Sequence, residues 1–190
     1  PTKTLRNISK QKIISISPIL IPKSELVMKK VLFLIHDLCQ GGAEKVLVNL
    51  VNNIDREQFD VTVMTLFDVG VNKQFLNPDI KYKSCFKYPV PGNSHLMKLL
   101  SPKQLYKWLI KDEYDIIVSY LEGPCARVAA GAPKSTKVVS YIHITIPTKK
   151  AIARPFRSFK EAFKCYNRAD MMVYVSKTVM NVFQQNCPTK

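Results

Sequence analysis

The chain has 190 residues, enough for one domain with a proper core. Hydrophobic residues make up 46% and charged residues 23%, which excludes a chain disordered along most of its length. The charge balance is one-sided: 29 Lys and Arg face 14 Asp and Glu, a formal net charge of +15, which points to phosphate-rich partners (nucleic acid, anionic lipid headgroups or phosphorylated substrates) and says nothing about fold.

Residues 1–27 differ from the rest. Lys3, Arg6, Lys10 and Lys12 precede an apolar patch over 13–21 that Ser15, Ser17 and Pro18 interrupt. The patch is far short of the about 20 residues that a membrane span needs. Lys23, Ser24 and Glu25 stand where a signal peptide has its small-residue cleavage site. Met28-Lys29-Lys30 then leads directly into an apolar run. The expectation is a disordered, non-core extension over 1–27 with Met28 as the natural start; a genuine basic tail is the alternative.

The apolar run 31–35 suits a strand covered on both faces of a parallel sheet. Gly41-Gly42 breaks the chain, after which Ala43, Val46, Leu47, Leu50, Val51 and Ile54 recur at helical spacing. A second strand is expected over 60–67 and a short third over 80–84. Ser101 and Pro102 read as the N-cap and first residue of a helix whose apolar stripe is Leu105, Trp108 and Leu109. A strand follows over 115–120, then a short helix over 124–130 ending at Gly131, and another strand over 137–143. One long basic helix is expected over 149–168, a strand over 171–175, and a final helix capped by Ser176. Alternating strands and helices mean an α/β fold, a mostly parallel sheet with helices on both faces. There is no internal repeat or low-complexity tract. Ligands of such sheets bind beyond the carboxyl ends of the strands. Segments 36–42, 68–74, 120–123, 143–149 and residue 176 are therefore the ones to read for chemistry.

Gly41 and Gly42 sit at a strand-to-helix turn, where glycine lets the backbone approach a ligand and helix-end N–H groups favour an anion. A purely structural turn is the other reading, since neither G-x-G-x-x-G nor a P-loop Gly-Lys-Ser/Thr is present. Glu44, in the first helical turn, suits the helix dipole. His143 ends its strand at the carboxyl edge and is as much a catalytic candidate as a structural histidine. Glu122 either binds ligand hydroxyls through charge-assisted hydrogen bonds or caps the helix that starts at Pro124. Arg127 faces the crevice, or else is exposed or ion-paired. Over 149–168, Phe156, Phe159, Phe163 and Tyr166 recur at helical spacing, with Lys149, Lys150, Arg154, Arg157, Lys160, Lys164 and Arg168 among them. Such a helix lies on an anionic membrane, or turns its aromatics to the sheet and leaves its cations solvated. The five cysteines, Cys39, Cys85, Cys125, Cys165 and Cys187, are odd in number and scattered, which reads as reduced thiols in a cytoplasmic protein. His36, His95 and His143 lie near no Cys pair, so no metal site is expected.

Lys30-Val31-Leu32-Phe33-Leu34-Ile35 followed by Gly41-Gly42-Ala43-Glu44-Lys45-Val46-Leu47 resembles the opening of family 4 glycosyltransferases. Ser119-Tyr120-Leu121-Glu122-Gly123-Pro124, with Arg127 and Gly131, is similar to a block found in members that build bacterial surface polysaccharides. Tyr141-Ile142-His143 resembles the family's aromatic-x-His strand end. Asp170 through Val175-Ser176-Lys177 resembles the strand and Ser that close the first domain. The resemblance runs from Met28 to the C-terminus.

It implies the N-terminal, acceptor-side Rossmann-like domain (28–190) of a GT-B fold. A second domain of that fold binds the nucleotide sugar, usually through Glu-x7-Glu, with no metal and with retention of anomeric configuration. By this resemblance Gly41 and Gly42 lie close to the donor diphosphate, and His143 is catalytic, contacting the transferred sugar. Glu122, Arg127 and Ser176 are candidates for binding acceptor or sugar. Lys149, Lys150, Arg154, Arg157 and Lys160 form a basic face toward acceptor or membrane. The implied function is hexosyl transfer from a nucleotide sugar to a lipid-linked or saccharide acceptor in cell-surface polysaccharide synthesis. The protein would be cytoplasmic and held peripherally at the inner face of the cell membrane. No Glu-x7-Glu segment follows in a second Rossmann unit, so the donor-binding domain is expected to be absent and the chain inactive alone. The alternative is a basic Rossmann-type module for nucleic acid or anionic membrane without catalysis. No nucleic acid is expected, because RNA-recognition, helix-turn-helix and zinc-finger signatures are missing. The missing glycine fingerprint argues against a nicotinamide enzyme.

Overall fold

A computed structural model describes residues 27–89 and 97–189. The extension expected over 1–27 lies outside them, Val27 excepted. The described elements alternate except where two helices follow β5: β1 (Lys29–Ile35), α1 (Gly42–Asn52), β2 (Phe59–Phe67), a 3-10 turn (Val71–Phe75), β3 (Lys81–Phe86), α2 (Pro102–Leu109), β4 (Ile116–Ser119), α3 (Pro124–Ala129), β5 (Lys137–Ile142), α4 (Lys149–Ala153), α5 (Phe159–Arg168), β6 (Met171–Tyr174) and α6 (Lys177–Asn186). The six strands form one sheet in the order β3-β2-β1-β4-β5-β6, and every pairing is parallel. This is the Rossmann-like, doubly wound order, with its switch point between β1 and β4.

The period-2 alternation of the central strands sorts their side chains between two cores. Val31, Phe33 and Ile35 of β1, with Val61, Val63 and Val118, pack against Leu47, Val48 and Val51 of α1. Leu32 and Leu34, with Met64, Leu66 and Ile117, pack against Leu105 and Tyr106 of α2 and Val128 and Ala129 of α3. A third cluster, with Ile142, Ile152, Phe156, Tyr166, Val179 and Phe183, closes the β5–β6 end beneath α4, α5 and α6. Each fully buried Leu, Ile or Phe contributes on the order of 1.5–3 kcal/mol.

Three expectations change. The buried stripe of α1 is Leu47, Val48 and Val51, while Val46 (57%) and Leu50 (38%) face outward. The sheet meets α1 on a face rotated by about one residue, because Val48 reaches it better than Val46. In α2, Tyr106 turns inward, and Trp108 stays half exposed with its ring edge-on to Phe86. The long basic helix is two helices. Pro155 has no N–H for the ladder, and Ser158 starts α5 afresh by accepting from the Glu161 N–H at 3.2 Å. Within this segment Phe156 and Tyr166 are buried, so most of its aromatic stripe serves the core and only Phe163 is substantially exposed.

Candidate active site

Chains leaving β1 and β4 turn away from each other, which opens a crevice beyond their carboxyl ends. Segment 36–41 borders it from β1 and segment 120–123 from β4; β5 delivers His143 next to the latter.

Segment 36–41 is held from within and from the exit of β2. The Asp37 carboxylate accepts the Cys39 N–H at 2.9 Å and meets His36 Nδ1 at 2.7 Å. The Leu38 N–H donates to Val69 O at 3.0 Å, the Asn72 N–H donates to Leu38 O at 2.9 Å, and the Asn72 side-chain amide donates to Cys39 O. Gly70, at φ 116°, is required here, because a Cβ on it would overlap the Leu38 backbone. Burial alone would raise the Asp37 carboxyl, but the hydrogen bonds from His36 and Cys39 outweigh it and hold the group below the usual carboxylate range. The hydrogen bond to Asp37, with some burial, pushes the Cys39 thiol up to about 11. It therefore stays protonated at neutral pH and makes a poor nucleophile.

The two glycines differ in what surrounds them. A Cβ on Gly41 would overlap Oε2 of Glu44, whose carboxylate folds back over the positive end of α1. A Cβ on Gly42 would meet nothing within 4 Å. The overlap at Gly41 is with the far end of a flexible side chain that can swing aside, so the fold demands neither glycine; the space in front of Gly42, at the first turn of α1, is open.

Across the crevice Glu122 Oε2 accepts the His143 backbone N–H at 3.0 Å. Glu122 does not cap α3. That place belongs to Gly123, at φ 77°, whose N–H donates to Tyr166 Oη at 3.0 Å. The carboxylate instead ties the end of β4 to the end of β5. The β4–β5 register pairs Ser119 with Ser140 and so sets Tyr120 beside Tyr141, ring centroids 4.9 Å apart. Both rings contact His143: Tyr141 stacks on it at 5.7 Å and 21°, and Tyr120 tilts against it at 5.0 Å. The Nε2 atom of His143 is buried and has no hydrogen-bond partner among the described residues. Burial pushes the Tyr120 phenol up to about 12, which keeps it neutral. On sequence Tyr120 and Tyr141 stand within motifs without a role of their own, and Tyr166 reads only as a stripe position. The available signal was that Tyr120 and Tyr141 both stand at carboxyl ends of strands.

Of the readings open for Arg127, the ion-paired one holds and the crevice-facing one does not. It lies 1% exposed rather than facing the crevice. Its guanidinium donates to both Glu161 oxygens at 3.1 Å, to Met97 O at 2.8 Å and to Leu100 O at 2.7 Å. Ser176 accepts the Val179 N–H at 3.2 Å as the N-cap of α6 and stands two strands from β4. Lys149, Lys150, Arg154 and Lys160 are exposed, with Lys149 Nζ 5.6 Å from the Phe159 ring. The Arg157 guanidinium instead holds Lys98 O and Leu99 O at 2.5 and 2.6 Å. The basic positions thus do not form one helical face. Among the described residues no three His, Cys, Asp or Glu side chains gather as a metal ion would need, and no helix is long and apolar enough to cross a membrane.

Residues 40–190 match the family model described as Glycosyltransferase Family 4. A search of curated proteins finds no match.

Proposed function

Because the chain belongs to Glycosyltransferase Family 4, we propose that it takes part in hexosyl transfer from a nucleotide sugar to a saccharide or lipid-linked acceptor, with the crevice between β1 and β4 as the reacting site. The observation that carries this reading is His143. Its half-buried ring is held between Tyr120 and Tyr141, and its backbone is tied to Glu122. The residue stands at the carboxyl edge, where doubly wound sheets bind their ligands.

In the proposed reaction the bond from the anomeric carbon to the diphosphate oxygen breaks and one to an acceptor hydroxyl oxygen forms. The hydroxyl proton leaves with the nucleoside diphosphate. Gly42 lets the diphosphate approach the first turn of α1, where helix N–H groups and the dipole favour an anion. His143 contacts the transferred sugar through the part of its half-buried ring that remains accessible. Glu122 acts through His143 as a positioning residue, and Tyr120 and Tyr141 fix the plane of the imidazole. The same proposal includes retention of configuration, independence of metal, and an acceptor in cell-surface polysaccharide synthesis at the cytoplasmic membrane face, each supported by the motif resemblance.

The test joins this domain to a nucleotide-sugar-binding second domain, offers UDP- and GDP-sugars with saccharide and polyprenyl-diphosphate-sugar acceptors, with and without EDTA, and follows product anomer by NMR. The expected result is acceptor-dependent product of the donor's anomeric configuration, unaffected by EDTA. In His143→Ala, kcat should fall about 100-fold or more with melting temperature little changed. Transfer that survives His143→Ala at full rate, or a variant that simply unfolds, overturns the assignment of His143.

A further inference from the structure

We propose that the groove between α2 and α5 is the face by which this protein docks on an anionic lipid surface, with Leu99 as its inserted tip. Two hollows of about 490 and 550 Å³ share Pro102 and Ala130 and so form one groove. Lys103 and Lys107 stand on its α2 wall, Lys160 and Lys164 on its α5 wall, and Lys134 at its end. None of these five has a carboxylate partner among the described residues. The single acid lining the groove, Glu161, is already taken by Arg127.

Among the described residues outside the groove, several lysines are paired with acids. At the amino edge of the sheet Lys29 faces Asp115, Lys81 faces Asp60, Lys83 faces Asp112 and Lys137 faces Asp170. The groove brings five lysines without a carboxylate partner onto one lining, whereas Lys45, Lys87, Lys149, Lys150 and Lys177, also without one among the described residues, lie outside it.

The turn over 97–100 projects beside it. Its four successive carbonyls accept from two arginines: Arg127 holds Met97 O and Leu100 O, and Arg157 holds Lys98 O and Leu99 O. Leu99, at the crest of this fixed turn, is 73% exposed, and Phe163 on α5 is 38% exposed. A rigid apolar tip ringed by cations matches a headgroup layer, where cations meet phosphate and the tip enters the acyl boundary. It matches single-stranded nucleic acid poorly, because bases need stacking platforms, and the one aromatic lining the groove, Tyr106, is 9% exposed. Nothing here uses the basic positions of α4.

The proposal rests on the lipid-linked acceptor reading above. Its test needs no turnover, so loss of docking and loss of catalysis are read separately. The 190-residue chain is sedimented with vesicles of phosphatidylglycerol or of phosphatidylcholine alone. Two charge-matched triple variants are compared: Lys103, Lys160 and Lys164→Glu in the groove, and Lys45, Lys87 and Lys177→Glu outside it. The groove variant should lose partitioning to the anionic vesicles on the order of 100-fold, the outside variant no more than a few-fold, and Leu99→Asp about 10-fold. All binding should weaken between 0.05 and 0.5 M salt, estimated from a Debye length of about 8 Å at physiological ionic strength. Equal loss in both triple variants would show that net charge acts rather than a surface, and would overturn the proposal. So would binding to phosphatidylcholine as strong as to phosphatidylglycerol. If the groove variant loses a single-stranded RNA oligonucleotide at 0.15 M salt while vesicles pellet unchanged, the surface takes nucleic acid and the lipid assignment falls.

Discussion

Arg127 and Glu161 show how one ion pair organises a region. The arginine is nearly inaccessible and the glutamate largely so, with side-chain exposures of 2% and 15%. Removing one partner leaves a buried charge without its counter-ion, which costs about 3–5 kcal/mol. Arg127→Ala is therefore expected to lower the melting temperature strongly, in thermal unfolding followed by circular dichroism, and to act through stability rather than ligand affinity. Burial works to raise the Glu161 carboxyl, but Arg127 and the Arg157 N–H prevail and hold it below its ordinary value of 4.5. A depressed folded value contributes stability that is complete above the unfolded value and is lost as pH falls through the folded one. Wild-type melting temperature should therefore drop more steeply below about pH 4.5 than that of Glu161→Gln, which has no carboxylate there to protonate. Gly42 gives the opposite kind of test. Nothing crowds its missing Cβ, so Gly42→Ala should leave stability unchanged or raise it by about 0.4–1 kcal/mol. In the two-domain enzyme, donor affinity measured by calorimetry with nucleotide sugars should fall; unchanged affinity would place the diphosphate elsewhere.

Elements meet here through a few fixed points. Ser101 caps α2 in a reciprocal box: its hydroxyl accepts the Gln104 N–H at 3.3 Å, and the Ser101 N–H donates to Gln104 Oε1 at 2.8 Å. This local pattern was readable as Ser-Pro at a helix start, and Ser101→Ala is expected to cost about 1 kcal/mol in urea unfolding. The junction of α2 with α3 was not readable in the same way. Gly131 ended a predicted helix, yet its larger role is tertiary: a Cβ there would overlap Pro102 O at the start of α2. Gly131→Ala should push the two helices apart and cost more than Ser101→Ala in the same measurement. Tyr166 likewise belonged to a basic aromatic stripe on sequence, and in the fold its hydroxyl secures the turn at Gly123 beside the site. The basic segment thus supports the crevice from behind through its aromatic side, while its cations divide between Arg157, which pins a turn, and Lys160 and Lys164, which line the groove.

At the scale of the whole molecule, the +15 charge is a property of composition, but its placement is a property of the fold. Lysines at the amino edge of the sheet pair with acids, while those lining the groove between α2 and α5 have no carboxylate partner among the described residues. The sequence by itself determined the parallel α/β class, the run of six strands, the caps at Ser101 and Ser176, and the position of Gly41, Gly42, Glu122 and His143 at strand exits. Those features rest on hydrophobic period and on Gly, Pro and Ser signals within a few residues of one another, which act before any distant contact forms. The tertiary structure alone decided the order β3-β2-β1-β4-β5-β6, the inward face of α1, the burial of Arg127 and the bond from His143 to Glu122. The physical reason is separation along the chain. Glu122 and His143 are 21 residues apart, and Arg127 and Glu161 are 34 apart. A carboxylate shows no preference in its own neighbourhood for one of these partners over another. Parallel pairing and helix docking choose it, by fixing which strand ends stand side by side.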